Sequence, residues 1–130
     1  MCVTEVPAQY FTVEEANAIL PEIDVLMDRL QFHRSRMIKL RREIVQLLEL
    51  KESDIGGSVA SSLVSDFIAI ERLMNQIRSH GCLIKDLNTG LVDFLSKRDG
   101  REVYLCWRYG EPRIDFYHEL HTGFKNRQQI

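Results

Sequence analysis

The sequence has few cysteines, little net charge and no long apolar run, and each lack argues against a class of protein. Cys2, Cys82 and Cys106 are widely spaced and form no CxxC pair, which indicates a reducing compartment rather than a disulfide framework. A net charge of −2 gives no strong field to attract nucleic acid or a membrane. No apolar run approaches the roughly 20 residues of a membrane helix. The first ten residues lack a signal-peptide pattern, so we expect a cytoplasmic protein with no membrane segment.

What remains is the composition of one ordinary globular domain. The chain has 130 residues, of which 45% are hydrophobic and 28% are charged. Apolar residues first recur at helical spacing, over about residues 12–80, and then alternate with period two over about residues 82–124. We therefore predict a single α+β domain over residues 1–130. It consists of a long antiparallel helical hairpin, coiled-coil-like, packed with a small C-terminal antiparallel sheet of three or four strands.

The first helix has a start signal, an interruption and an apolar seam. Thr12 and Glu15 form a capping-box pair, and Pro21 predicts a kink or short break at Leu20. The helix should then run to about Lys51. Residues spaced three and four apart form one seam, with a single polar member expected to hydrogen-bond across the hairpin: Ile23, Leu26, Leu30, His33, Met37, Leu40, Ile44 and Leu47.

The second helix repeats this spacing after a flexible turn over residues 53–58. Its predicted seam is Leu63, Phe67, Ile70, Met74 and Ile77, and Gly81 is expected just beyond its end. The two seams predict a folded-back pair of helices. A second apolar row on the first helix exceeds what one partner can cover: Met27, Ile38, Val45 and Leu48. We therefore expect a homodimer, and a four-helix bundle is one arrangement that would bury this row.

The remaining residues predict a β-meander with a definite register. Strands are expected over residues 83–86, 91–95, 102–109 and 114–120, with turns at Asp99-Gly100 and Gly110-Glu111. Two-residue loops at both turns place Leu105 opposite Phe94 and Phe116, and Val103 opposite His118. One face, expected against the helices, then holds Val92, Phe94, Val103, Leu105, Trp107, Ile114, Phe116 and His118. The other holds Asp93, Tyr104, Cys106, Arg108, Arg113, Asp115, Tyr117 and Glu119.

This register bears directly on chemistry at Cys106. It places Cys106 and His118 on opposite faces, which forbids a Cys–His dyad or a shared zinc ion unless a bulge intervenes. Carboxylate neighbours would also raise the pKa of the thiol. A different metal site is suggested by the HxxH spacing of His118 and His121, with Glu119 between them. It lacks the spacing of the HExxH motif, and the alternative is a hydrogen-bonded His118 and a surface His121.

A basic stretch on the first helix offers a third kind of surface. It contains Arg29, Arg34, Arg36, Lys39, Arg41 and Arg42, and acidic residues precede it. This order complements the helix dipole and lets an antiparallel copy match charges end to end. A nucleic-acid surface is the other interpretation, although interleaved aromatics and a recognised motif are lacking.

Four strings resemble the bacterial domain-of-unknown-function family 2203. They are YFTVEEANAILPEI from Tyr10, KDLNTGLVDF from Lys85, RDGREVYLCWRYGEPRIDFYHEL from Arg98 and GFKNRQ from Gly123. The resemblance covers nearly the whole chain and implies a small cytosolic bacterial protein, a helical hairpin with a small sheet, and no established activity. The chain departs from the family's usual residues at Leu95, Tyr117 and His121. The matched polar positions are Asp93, Arg101, Cys106, Trp107, Arg108, Glu111, His118, Gly123 and Arg127.

Three functional hypotheses follow. The first is a non-enzymatic homodimeric interaction or regulatory module, with no catalytic residues and no cofactor. The second is a small-ligand or metal-binding protein, which would be an enzyme in one version. It would use the C-terminal sheet, and its candidate residues are Asp93, Arg108, Asp115, His118, Glu111 and Arg127, with His118, His121 and Glu119 as the candidate divalent-metal ligands. The third is nucleic-acid association through the basic stretch.

Overall fold

The architecture is a helical hairpin followed by an antiparallel sheet, as the α+β prediction requires. The computed structural model describes residues 9–49 and 57–130. The helices are α1 (Val13–Glu49) and α2 (Gly57–Ser79), and the strands are β1 (Leu83–Asp86), β2 (Leu91–Arg98), β3 (Arg101–Arg108), β4 (Phe116–Glu119) and β5 (Gln128–Gln129), with a short 3-10 turn at Phe124–Asn126. Within these residues, no helix is both long and apolar enough to cross a bilayer.

The predicted capping box starts α1. The Thr12 main-chain N–H donates to Glu15 Oε1 at 2.9 Å, and the Glu15 N–H donates to Thr12 Oγ1 at 3.0 Å. These bonds satisfy two donors that a helix start leaves open. Of the kink or short break predicted at Leu20, the break is absent: α1 continues through Pro21 to Glu49. The predicted end near Lys51 and most of the predicted 53–58 turn lie outside the described residues.

α1 and α2 pack along a seam that differs from the prediction on α2. Phe67, predicted to face α1, is 53% exposed, whereas Asp66 is 2% exposed. The Asp66 carboxylate meets His33 Nδ1 at 2.8 Å, which confirms the predicted hydrogen bond from His33 across the hairpin. Arg36 Nε lies 3.4 Å from the other Asp66 oxygen. A polar pair thus replaces one apolar layer: Asp66 Oδ1 pairs with His33, and the buried Asp66 Oδ2 has Arg36 beside it without a hydrogen bond.

The sheet has five strands in the order β1-β2-β3-β4-β5, so it is slightly larger than predicted. The β2–β3 hairpin has the predicted register, with Phe94 opposite Leu105 and Val92 opposite Trp107. Its turn residues, Asp99 and Gly100, have positive φ angles of 53° and 78°. β5 lies beyond the predicted meander, which ended near residue 124.

The core lies between the sheet and the sheet-proximal half of the hairpin. α1 contributes residues from Ala16 to Leu30, and α2 contributes Leu73 and Ile77. The sheet contributes a single face whose members are almost fully buried: Val92, Phe94, Val103, Leu105, Trp107 and Tyr117. The predicted burial of Trp107 is confirmed. Met27 also lies in this core, so the sheet covers one member of the second apolar row of α1.

The predicted register of β3 with β4 is wrong by one residue. Leu105 lies opposite Tyr117 rather than Phe116, and Tyr104 lies opposite His118. The cause is a longer connection between the strands. The Asn17 side chain accepts from the Ile114 N–H at 2.8 Å and donates to the Ile114 carbonyl at 3.3 Å, which holds Ile114 against α1 and outside the ladder. The slip places Tyr117 in the core and turns His118 and Phe116 to the outer face.

Candidate functional site

The outer face of the sheet brings together the side chains of Asp93, Cys106 and His118. Each residue offers one atom that could bind a metal ion: a carboxylate oxygen of Asp93, the sulfur of Cys106 and a ring nitrogen of His118. These three atoms all lie within 4.8 Å of one another. β2 and β4 flank β3, so Asp93 and His118 reach over β3 and meet beside the Cys106 thiol. The prediction that Cys106 and His118 point to opposite faces is therefore wrong. The one-residue slip, rather than a bulge, reverses it.

Hydrogen bonds fix the orientation of the His118 ring. Nδ1 lies 2.8 Å from the main-chain oxygen of Glu119, and Nε2 lies 3.0 Å from Asp93 Oδ2. A carbonyl oxygen only accepts, so Nδ1 carries a hydrogen and Nε2 is the nitrogen directed at the cluster. The Tyr104 ring packs beside the imidazole, with ring centroids 5.6 Å apart.

All three members of the cluster are buried, with exposed fractions of 2% for Asp93, 1% for Cys106 and 4% for His118. Burial raises the pKa of Cys106 to about 12, the Asp93 charge adds to this effect, and Arg127 opposes it. The predicted direction is confirmed, although loss of solvation is the main cause. Burial also raises the pKa of Asp93, against the opposing effects of His118 and Lys85. Cys106 is therefore a thiol at neutral pH in the metal-free protein.

The C-terminal segment, residues 120–130, covers the cluster. A cavity of about 130 Å³ adjoins the three side chains, and its remaining lining is Lys85, Leu91, Leu120, Thr122, Gly123 and Phe124. The Arg127 guanidinium stacks on the rings of Phe116 and Phe124, 4.1 Å from each centroid. It also binds both carboxylate oxygens of Glu111, at 2.9 and 2.7 Å. This ion pair anchors the segment over the site.

The other predicted candidates do not all reach the cluster. Arg108 is exposed and lies over Phe124, 5.7 Å from the ring centroid, at the edge of the covering segment. Asp115 pairs instead with Arg113 at 2.8 Å, since Phe116 occupies the place opposite Cys106 that Asp115 was predicted to take. Of the HxxH group, Glu119 binds Arg101 at 2.8 Å and His121 is exposed. Within the described residues, His118 gathers with Asp93 and Cys106 rather than with Glu119 and His121.

The basic stretch is partly engaged within the chain. Arg34 donates to Asn88 Oδ1 at 2.6 Å, and Arg36 lies beside Asp66 and over the Phe32 ring. Lys39, Arg41 and Arg42 are exposed. Two of its basic side chains therefore take part in folding contacts as well as contributing positive charge.

The sequence did not lead us to place two of these residues in the site. Cys106 was recognised but separated from His118 by the assumed register, and Lys85 at the cavity wall was not singled out. Asn17 is the signal that would have placed Cys106 and His118 on the same face. It is a polar residue on the sheet-facing side of α1, and its side-chain amide can hydrogen-bond the main chain of a segment that lies outside the strand pairing. Lys85 carries no such signal, because a lysine on an edge strand is common protection against aggregation.

The fold and the cluster define an α+β protein that buries an aspartate, a cysteine and a histidine beneath its C-terminal segment. The model of the family described as an uncharacterized conserved protein (DUF2203) matches residues 9–130. The chain belongs to this family, as the sequence resemblance indicated. No curated protein and no solved structure matches the chain.

Proposed function

We propose that the protein binds a divalent transition-metal ion of the zinc class through Asp93, Cys106 and His118. The observation that carries the proposal is the convergence of three chemically suitable ligand atoms within 4.8 Å of one another in a buried site. Thiolate, imidazole and carboxylate groups are the ligands that zinc and its neighbours use in proteins. Three protein ligands leave one tetrahedral position open, as in zinc sites that bind an exogenous ligand.

The orientation of His118 supports this proposal. A metal-binding histidine commonly donates its second ring N–H to a carbonyl or carboxylate, which fixes the tautomer. Here the Glu119 carbonyl oxygen accepts from Nδ1 at 2.8 Å, and Nε2 faces Asp93 and Cys106. The ion would replace the hydrogen between Nε2 and Asp93 together with the thiol hydrogen, so binding would release protons.

Metal content is the direct test. Protein purified without added metal or chelator is analysed for zinc, nickel, iron and manganese, and metal-free protein is then titrated with Co²⁺. We expect one ion per chain and a thiolate-to-cobalt absorption band. Cys106→Ser should abolish the band, while Cys82→Ser should retain it, since Cys82 is equally buried but donates to the Ile77 carbonyl away from the cluster. Stoichiometry near zero for every metal, or an unchanged band in Cys106→Ser, contradicts the proposal.

A second candidate function is homodimerisation along the hairpin, including the part that extends beyond the sheet. In this part, exposed apolar side chains lie on both helices, with exposed fractions of 39% for Ile38, 47% for Val45, 57% for Val64 and 44% for Ile68. Ile38 and Val45 belong to the second apolar row of α1, of which the sheet covers Met27. Burying such a row in a partner contributes about 25 cal/mol per Å² of apolar surface, before the entropic costs of association are subtracted.

A second copy of the chain is the occupant that the charges favour. α1 begins with acidic residues and continues with the basic stretch, so two antiparallel copies that overlap along the whole of α1 place opposite charges together. Light scattering should give a dimer at micromolar concentration. Ile68→Gln should raise its dissociation constant about tenfold, whereas Leu83→Gln, at an equal 44% exposure on β1, should not. A wild-type monomer at this concentration would eliminate the dimer proposal.

We also infer a cytosolic location. Both described cysteines, Cys82 and Cys106, are free thiols. A thiol that acts as a metal ligand must remain reduced, which favours a reducing compartment.

A further inference from the structure

A larger pocket on the protein surface adjoins the cavity beside the Asp93–Cys106–His118 cluster. The inner cavity has a volume of about 130 Å³. The surface pocket has a volume of about 400 Å³, and it shares Leu91, Gly123 and Phe124 with the inner cavity. These three residues therefore lie between the surface pocket and the cluster, and the route that a ligand would take between them is called the passage. A pocket of this size accommodates a small organic molecule.

The surroundings of this passage are positively charged. Lys85 lines the inner cavity, whereas the charge of Arg127 is balanced by Glu111. Arg108 and Lys125 line the surface pocket. Within residues 9–49 and 57–130, no carboxylate lies within 4 Å of the Arg108 guanidinium.

The acidic residue of the surface pocket, Asp86, keeps its negative charge, because both of its hydrogen-bond partners are neutral. Asp86 accepts from the Asn88 main-chain N–H at 2.9 Å and from the Thr89 hydroxyl at 3.0 Å. A divalent ion held by two anionic ligands and one neutral ligand is itself a neutral centre. The net charge offered to an entering ligand is positive, because Lys85, Arg108 and Lys125 outnumber Asp86, and it favours an anion.

We propose that the passage admits a small oxyanion, a carboxylate or a phosphate group, to the open position of the metal site, and that the positive charges of Arg108 and Lys125 in the surface pocket favour its entry and binding. This inference rests on the proposed metal site. Arg108 can give two parallel hydrogen bonds to an oxyanion, and Lys125 adds a point charge. Phe124 forms an apolar wall against which the carbon skeleton of the ligand packs.

The test uses the full chain loaded with Co²⁺. Acetate, inorganic phosphate and acetamide, the neutral counterpart of acetate, are added separately at fixed ionic strength while the visible cobalt bands are recorded. We expect saturable band shifts with acetate or phosphate and no shift with acetamide. The oxyanion that binds more tightly identifies the ligand class. Arg108→Gln and Lys125→Gln should each raise the dissociation constant about tenfold.

Arg113→Gln is the matched control, because Arg113 is an exposed arginine that pairs with Asp115 and does not line the surface pocket. Its dissociation constant should equal that of the wild type. Cobalt bands that appear but respond to neither oxyanion overturn this inference and leave the metal proposal standing. Equal responses in Arg108→Gln and Arg113→Gln also overturn it. A chain that takes up no cobalt overturns both proposals.

Discussion

Replacing Glu111 with glutamine should loosen the C-terminal segment that covers the cluster. The Glu111 carboxylate accepts from the Arg127 guanidinium at 2.9 and 2.7 Å and from the Arg108 main-chain N–H at 2.7 Å. Glutamine keeps one acceptor oxygen and removes the charge that balances Arg127. Hydrogen bonds to charged groups contribute about 1.5–3 kcal/mol each, and fully exposed ion pairs contribute less than about 1 kcal/mol. The Arg127 and Glu111 side chains are 16% and 20% exposed, which places this pair between those limits.

We expect Glu111→Gln to lower the free energy of unfolding by about 2 kcal/mol at pH 7. Urea unfolding is followed by the fluorescence of Trp107, the only tryptophan, which is fully buried. The matched control is Asp115→Asn, which removes the ion pair between Asp115 and Arg113. The side chains of Asp115 and Arg113 are 41% and 64% exposed, respectively. That control should cost less than about 1 kcal/mol. Equal losses in the two variants would refute the anchoring role of the Glu111–Arg127 pair.

The same pair predicts a pH dependence of definite sign. Burial alone would raise the pKa of Glu111, but hydrogen bonds and charges from Arg127 and Arg108 hold the pKa below its ordinary value of 4.5. A lowered pKa contributes stability above 4.5 that is lost as the pH falls through the folded-state value. The difference in unfolding free energy between wild type and Glu111→Gln should therefore be full at pH 7 and shrink as the pH falls below 4.5. A difference that grows in acid would contradict this assignment.

Two further predictions concern glycines and thiols. Gly90→Ala should lower the free energy of unfolding in urea by at least about 2 kcal/mol more than Gly100→Ala. Both glycines have positive φ, but a Cβ at Gly90 would lie 2.5 Å from Tyr109 Cβ, whereas a Cβ at Gly100 would have no atom within 4 Å. Cys82 and Cys106, whose pKa values burial raises to about 12, should resist alkylation at pH 8 in the folded, metal-free protein and react after unfolding, as peptide mass mapping would show. Rapid labelling of either thiol before unfolding would contradict this.

The sequence was informative wherever local chemistry determines structure. The capping box at Thr12 satisfies donors within its own turn, so four residues are enough to find it. The β2–β3 register follows from Asp99 and Gly100, whose positive φ angles select a two-residue loop. The family resemblance agreed with these patterns, and its match extends over residues 9–130.

The sequence was less informative where distant residues compete. Asp66 replaces Phe67 in the helical seam because His33, 33 positions away, offers it a hydrogen bond. Apolar spacing alone favours the phenylalanine. β5 was not predicted, because Gln128 and Gln129 lack the alternating apolar pattern of a strand. Their pairing with β4 depends on the contacts that position the C-terminal segment. Each case needs a contact that is remote in sequence.

The candidate site itself depends on such a contact. A two-residue turn after β3 would put His118 in the core and leave Cys106 and Asp93 without it. Asn17 on α1 instead binds both main-chain groups of Ile114, and this removes Ile114 from the ladder at no loss of hydrogen bonds. Because side chains alternate along a strand, that single displacement brings His118 to Asp93. The chemistry on the outer face is therefore decided by an amide on the opposite side of the sheet.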